Sequence, residues 1–185
     1  LKYQLLNPET GVLLAKGLCE RIGIDGKFTY KPQVEGKEEL DAVDVIRKCI
    51  DDVMSRKELV LDSLIVTASC SPEGSYAHNS ILASSRSESM RRYVWDYVPE
   101  EWRDKVRTAH VPENWTQLMK IVANDTLLTA SAKEKILEHS ADSGKPDDAE
   151  KRISLMPEYR YLREKIYPQL RSVSFDFHLH RAGMQ

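Results

Sequence analysis

The sequence predicts an α/β sandwich, that is, a sheet with helices packed on one side of it. Apolar residues recur at three- and four-residue steps between positions 40 and 53, which is typical of an amphipathic helix. Residues 59–68 form an apolar run rich in β-branched side chains, which is typical of a buried central strand. Residues 172–180 alternate between apolar and polar side chains, so this strand has one packed face and one wet face.

Composition narrows the class of protein. The 185 residues suffice for one domain, or for one domain with a small appendage. The formal net charge of -2 gives no reason to expect a nucleic-acid partner. No apolar run approaches the roughly 20 residues that a membrane-spanning helix needs.

The first half of the chain gives the clearer signals. Residues 11–14 and 27–30 are short strand candidates, and Lys31-Pro32 ends the second. After the central strand, Ser75 is a suitable N-cap for a helix that runs to about Tyr97. The predicted buried face of that helix consists of Leu82, Ser85, Ser89, Met90, Tyr93 and Tyr97.

The second half reads as a strand, a set of helices and a final strand. The strand lies near 106–111, and the next helix carries Trp115. Ser131 and Glu134 have the spacing of a capping box that opens a helix, and residues 141–148 read as a polar loop. Pro157 fits the first position of a helix that ends before Pro168.

Catalytic and metal-site patterns are weak. Cys70 and Ser71 lie near His78, but no orienting carboxylate is evident for a nucleophile and base pair. His178 and His180 share one face of the last strand, a spacing compatible with two metal ligands, but a wet sheet face explains them more simply. We therefore expect no enzyme activity, no metal and no cofactor.

The loop before the Ser75-capped helix is the best candidate for a binding site. It is rich in serine, contains Gly74 and leads into a helix N-terminus, where free N–H groups favour a carboxylate. Arg86 follows on a largely apolar flank, where its forked guanidinium is suited to bind a carboxylate bidentately. The alternative is that Arg86 pairs with an internal acid, Glu73 or Glu113.

This region resembles the C-terminal domain of the OmpA-like family. The resemblance rests on the spacing of Ser71, Gly74, Asn79, Leu82 and Arg86. It implies a β/α/β/α/β core with a mixed sheet, helices on one face and a helical insertion before the last strand. The resemblance covers residues 28–185, and residues 1–27 form an extension or the end of a preceding domain.

The same resemblance implies a ligand, the stem peptide of peptidoglycan. Arg86 would receive its carboxylate, Asn79 would brace the loop, and Gly74 would permit the turn. The aspartate of the family is Ser71 here, and Glu73 is the candidate to supply the missing carboxylate.

The function expected from the resemblance is a non-catalytic tether on the periplasmic face of the outer membrane, with peptidoglycan or envelope proteins as partners. The alternatives are a protein-interaction module that has lost peptidoglycan binding, and a hydrolase or metal-dependent enzyme built around His178 and His180.

Overall fold

The computed structural model describes residues 2–6, 13–20, 27–32, 42–141 and 144–182, with side chains from residue 46 onward. Its first three strands are β1 (Lys2–Leu6), β2 (Leu13–Glu20) and β3 (Lys27–Pro32). They form an antiparallel sheet in the order β1-β2-β3. The sequence did not predict β1. Strand β3 extends two residues beyond its predicted end at residue 30. Pro32 is tolerated in β3 because an edge strand has N–H groups that need no partner.

A second, mixed sheet organises the rest of the chain. Its strands are β4 (Leu59–Ser69), β5 (Val106–Val111) and β6 (Val173–Arg181). β4 lies in the middle, parallel to β5 and antiparallel to β6. With helices in the same unit, the protein has the expected α+β fold, and β4 is the central strand that its apolar sequence predicts. The strand predicted at residues 27–30 belongs instead to the first sheet, and the domain boundary at residue 28 stays a prediction.

The hydrophobic core of the second sheet lies on one face of β4. Leu64, Val66 and Ala68 are fully buried there, as their two-residue spacing requires. Two helices cover this face, α1 (Ala42–Ser55) and α2 (Tyr76–Tyr97). They contribute Ile50 from α1 together with Met90 and Val94 from α2.

The last strand has the two faces that its alternating sequence predicts. Val173 is buried, and Phe175, Phe177 and Leu179 pack against the same core. On the other face, Asp176, His178 and His180 are exposed.

The bounds of α2 agree with prediction, and its predicted buried face is correct in part, since Met90 is buried and Tyr93 and Tyr97 pack against the core. The buried residues are Asn79, Ala83, Ser87, Met90 and Val94, whereas Ser85 of the predicted face is exposed. Asn79 decides the helix orientation, because its buried amide bonds to the preceding loop. An apolar periodicity does not reveal a face that begins with a polar residue.

The helical insertion between β5 and β6 has its own core. It begins with α3 (Trp115–Asn124), α4 (Ala130–Ala141) and α5 (Pro146–Ser154). The short α6 (Tyr159–Tyr161), a π-helical turn (Leu162–Ile166) and α7 (Tyr167–Leu170) follow. Its fully buried side chains include Leu118, Val122, Ile136, Ile153, Leu162 and Tyr167. A 3-10 helix (Glu100–Lys105) precedes β5.

Three helix starts differ from prediction. Helix α6 begins at Tyr159, and Pro157 lies in the turn before it instead of at the first helical position. Helix α4 begins one residue before Ser131, and the Thr129 hydroxyl accepts a hydrogen bond from the backbone N–H of Ala132 at 3.2 Å. Thr129 therefore caps α4 in place of the predicted capping box of Ser131 and Glu134. Helix α5 begins at Pro146, inside the predicted loop, because proline has no N–H to leave unsatisfied at the first helical position.

The last helical segment passes through Pro168, although the sequence predicted an end before it. The N–H of Tyr167 donates to the carbonyl of Leu162, five residues back, so the turn is wider than an α-helical turn. This widening fits Pro168, which cannot donate a backbone hydrogen bond and whose ring would crowd the preceding turn of an α-helix. None of the helices in the described part of the chain is long and apolar enough to cross a membrane.

Truncating the central strand should test this packing. We expect Leu64→Ala to lower the free energy of unfolding by about 2–5 kcal/mol, because it leaves a cavity against the helices. Ile65→Ala is the matched control, since its side chain is only partly buried and lies on the other face of β4. Urea unfolding of both variants measures the difference, and equal losses would contradict the one-sided core.

Candidate functional site

The loop between β4 and α2 forms the candidate site, and backbone contacts hold it against the end of β5. The N–H of Cys70 donates to the carbonyl of Val111 at 3.1 Å, and the N–H of Asn114 donates to the carbonyl of Cys70 at 3.0 Å. Gly74 has a φ of 99°, a conformation that L side chains rarely adopt. Ser75 caps α2 as predicted, with its hydroxyl accepting from the N–H of His78 at 3.3 Å.

Asn79 braces this loop from inside. Its side chain is buried, and its amide nitrogen lies 3.2 Å from the carbonyl oxygens of both Ser71 and Glu73. The same nitrogen lies 3.3 Å from a carboxylate oxygen of Glu113. One amide therefore links the loop, helix α2 and the segment after β5.

Glu73 is the carboxylate of the loop, and two arginines hold it. Arg163 donates to one oxygen at 2.5 Å and Arg171 to the other at 2.5 Å. Arg171 also donates from Nε to the buried hydroxyl of Ser71 at 3.0 Å. Glu73 thus points to arginines from the helical insertion.

Arg86 does not pair with Glu73 or Glu113, so the alternative in which an internal acid holds it does not apply to these two residues. Its Nη1 donates to Sγ of Cys70 at 3.3 Å. Within the described residues no carboxylate lies within salt-bridge distance of Arg86. Glu73 and Glu113 have other partners, so Arg86 keeps its charge uncompensated by a direct ion pair.

Glu113 is a buried acid beneath the loop. Its second oxygen accepts a hydrogen bond from the indole N–H of Trp115 at 2.9 Å. Burial raises the pKa of Glu113, although the hydrogen bonds from Trp115 and Asn79 oppose this shift. Trp115 is itself buried in the second core, so it anchors the fold.

A cleft of about 630 Å³ opens beside Glu73. Its walls carry three arginines, two glutamates and a tyrosine: Glu73, Tyr159, Arg160, Arg163, Glu164 and Arg171. The segment from α6 to the residue after α7 supplies all of them except Glu73. Sequence reasoning did not place these arginines in the site, and the signal that could have found them is the concentration of arginine and tyrosine over residues 159–171.

Behind the cleft lies a buried acid held by a tyrosine. The hydroxyl of Tyr159 donates to Glu150 at 2.8 Å. Burial raises the pKa of Glu150, against the opposing hydrogen bond from Tyr159, and burial together with this carboxylate raises the pKa of Tyr159 to about 12. The ring of Tyr159 meets the fully buried ring of Tyr167 edge-on, with centroids 6.2 Å apart.

The N-terminus of α2, where the sequence suggested an external carboxylate, receives an internal one. The N–H of Tyr76 donates to the carboxylate of Asp147 at 2.7 Å, and Asp147 belongs to the first turn of α5. This hydrogen bond therefore joins the N-terminus of α2 to α5 of the helical insertion.

The alternatives based on histidine find no support in the geometry. His180 lies 2.8 Å from Asp62 on the exposed face of the sheet. Over residues 46–141 and 144–182, no group of three or more His, Cys, Asp or Glu side chains is placed to hold a metal ion. His78 is exposed, whereas Cys70 is buried.

Replacing Gly74 should show how much the turn depends on its backbone. Gly74→Ala should destabilise the protein by about 1–2 kcal/mol through the strained φ. An added Cβ would meet nothing closer than 3.9 Å, so crowding is not the reason. Gly144→Ala is the control, because it has open space without a positive φ, and thermal unfolding that gives equal losses for both variants would contradict this account.

The buried Glu150 predicts a pH dependence of stability. Its raised pKa means that the unfolded chain, with a carboxyl pKa of about 4.3, ionises first as pH rises. Wild type should therefore lose stability relative to Glu150→Gln as pH rises above about 4, until the raised pKa is passed. Urea unfolding at a series of pH values measures this difference, and a difference that is constant or of opposite sign would contradict the burial argument.

Comparisons with known proteins find short matches to a metabolic enzyme. No family model matches the chain, and no solved structure matches it. Curated relatives are acetate kinases: that of Agathobacter rectalis is 43% identical over 65 residues, or 35% of this chain and 15% of that protein. That of Fusobacterium nucleatum is 72% identical over 32 residues, covering 17% of this chain and 8% of the relative. The chain spans at most about 15% of the length of these relatives.

These matches overturn the expected function. The relatives are kinases, so the prediction of a non-catalytic domain that tethers an envelope protein to peptidoglycan is wrong, and so is the prediction that the chain is not an enzyme. The interaction-module alternative, also non-catalytic, shares this correction. The motif behind the resemblance specifies a turn and a helix start, and such local geometry does not determine the chemistry. The OmpA-like resemblance, the partners, the periplasmic location and the ligand roles of Ser71, Glu73, Gly74, Asn79 and Arg86 stay predictions.

Proposed function

We propose that this chain binds an oxyanion, a carboxylate or a phosphoryl group, in the cleft beside Glu73, and that it does so within an enzyme related to acetate kinases. The observation that carries the proposal is the convergence of Arg163 and Arg171 on one carboxylate at the mouth of an open cleft. Guanidinium groups suit both ligands, because their planar fork matches the geometry of carboxylate and phosphate oxygens.

The charges around the loop favour an anion. The walls of the cleft carry three arginines, Arg160, Arg163 and Arg171, against two carboxyl groups, those of Glu73 and Glu164, so positive charge is in excess. Glu113, the other acid in contact with the loop, has a raised pKa and is therefore less readily ionised. An incoming anion would complete the neutralisation that Glu73 begins.

Glu73 also shows how a ligand would fit. Its carboxylate receives one guanidinium on each oxygen, which is the arrangement that an external carboxylate would require. The exposed fractions of the three side chains are 26% for Glu73, 53% for Arg163 and 38% for Arg171. Ion pairs with this much exposure contribute only about 0–1 kcal/mol, so a ligand can compete with Glu73 for the arginines.

The relatives suggest which anions to test. By name they are kinases that act on acetate, and both acetate and a phosphoryl group are oxyanions. The chain spans a small part of those proteins, so the proposal assigns to it the binding of the anion rather than the complete reaction. Acetate and inorganic phosphate are therefore the first probes.

Removing the internal carboxylate should strengthen anion binding. We expect Glu73→Gln to tighten the binding of acetate or phosphate by about threefold to tenfold, because a ligand no longer competes with Glu73, and Arg171→Met to weaken it similarly. Isothermal titration calorimetry of the purified chain measures both effects. Arg56→Met is the control, since Arg56, the residue after α1, forms an exposed ion pair with Asp52 of that helix.

The opposite pattern would contradict the proposal. A wild type that binds neither acetate nor phosphate at millimolar concentration would exclude the cleft as a site for these anions. Equal losses in Arg171→Met and Arg56→Met would show that binding follows total charge and not the cleft.

Release of ADP from ATP in the presence of acetate, abolished in Arg171→Met, would connect the site to phosphoryl transfer.

A further inference from the structure

Two consecutive residues at the end of β4 each accept a hydrogen bond from an arginine. Cys70 accepts from Nη1 of Arg86 at 3.3 Å, and Ser71 accepts from Nε of Arg171 at 3.0 Å. Arg86 belongs to α2, whereas Arg171 follows α7, so the two guanidinium groups reach the loop from distant parts of the chain.

Both acceptors are buried and neutral. Cys70 is 2% exposed and Ser71 is 3% exposed. Burial raises the pKa of the Cys70 thiol, an effect that outweighs the lowering by Arg86 and Arg171. The thiol therefore keeps its proton at neutral pH, and its Sγ lies 3.8 Å from the carbonyl of Asn79 as a weak donor.

Because Cys70 and Ser71 are neutral, they do not cancel the positive charge of the arginines that donate to them. A buried carboxylate at either position would hold its arginine equally well, but it would also cancel the charge of that arginine. A hydroxyl and a thiol fix the direction of the guanidinium without adding a negative charge, so an anion that approaches Arg171 competes with Glu73 and not with a carboxylate at position 71. The five donors of a guanidinium allow one N–H to be used in this way while others remain for a ligand.

We infer that Ser71 is a positioning residue that holds Arg171, a wall of the cleft, through a neutral acceptor, and that this neutrality selects an anionic ligand. The inference rests on the proposed function of the cleft and adds the residue that sets its specificity. Cys70 holds Arg86 in the same way, but Arg86 does not line the cleft.

Substitutions at Ser71 test the inference, with calorimetry of inorganic phosphate and acetate as the readout. Ser71→Ala should weaken binding about fivefold, because Arg171 loses its fixed direction. Ser71→Thr retains the hydroxyl and should restore affinity to within about twofold of wild type. Ser71→Asp should weaken binding more than Ser71→Ala does, because a second carboxylate, in a buried position, would then compete with the anion for Arg171.

A control separates positioning from stability. Ser87→Ala removes another buried serine hydroxyl, which donates to the carbonyl of Ser84 within α2 and bonds to no arginine in the described part of the chain. It should leave anion affinity unchanged. Equal effects of Ser87→Ala and Ser71→Ala on affinity, or tighter binding by Ser71→Asp, would overturn the inference.

A second readout does not need the ligand. The Nε–H signal of Arg171 in a nitrogen-15 NMR spectrum should be protected from exchange with water in wild type and in Ser71→Thr, and should lose protection in Ser71→Ala. A signal unchanged in Ser71→Ala would overturn the positioning role. A wild type that binds neither anion, yet shows the expected loss of protection, would instead overturn the proposed function and the selectivity derived from it.

Discussion

The site depends on one buried amide, that of Asn79. Its nitrogen bonds to the carbonyls of Ser71 and Glu73 and to the carboxylate of Glu113, so it joins the loop after β4 to α2 and to the segment after β5. Buried carbonyl groups without such a partner are costly, which makes this loop conformation conditional on Asn79. The same amide draws the first turn of α2 inward and thereby decides which face of the helix is buried. The conformation of the loop and the packing of α2 therefore both depend on the hydrogen bonds of Asn79.

The cleft lies between the loop after β4 and the helical insertion, each of which is supported by its own hydrophobic core. One core lies under β4 and fixes the loop that carries Glu73, and the other lies within the helical insertion and fixes Arg163 and Arg171. The hydroxyl of Ser69 donates to the carbonyl of Leu170 at 2.7 Å, which ties the end of β4 to the end of α7. The π-helical turn lies directly before α7, so its extra width contributes to where the arginines meet the loop. The site is thus a product of tertiary packing, with its charged groups supplied from both sides.

The sequence predicts those parts of the fold that depend on neighbouring residues. Strand β4, the Ser75-capped helix and the alternating β6 follow from local periodicity and capping chemistry, and the structure contains all three. The buried face of α2 follows only in part, because a polar contact of Asn79 overrides the apolar pattern. The pairing of Arg171 with Glu73 does not follow either, since these residues are 98 positions apart. The function drawn from the resemblance failed for a related reason: a few residues that shape a turn say little about the chemistry of the whole chain.

The most direct test of this account is a crystal structure of the chain grown with saturating acetate or phosphate. The account predicts an oxyanion in the cleft, with at least one oxygen within about 3 Å of a guanidinium nitrogen of Arg163 or Arg171 and with Glu73 displaced from that arginine. Arg171 should still donate to the hydroxyl of Ser71 in that structure. A cleft without the anion, in which Glu73 still receives both arginines, would contradict the claim that these side chains form an oxyanion site.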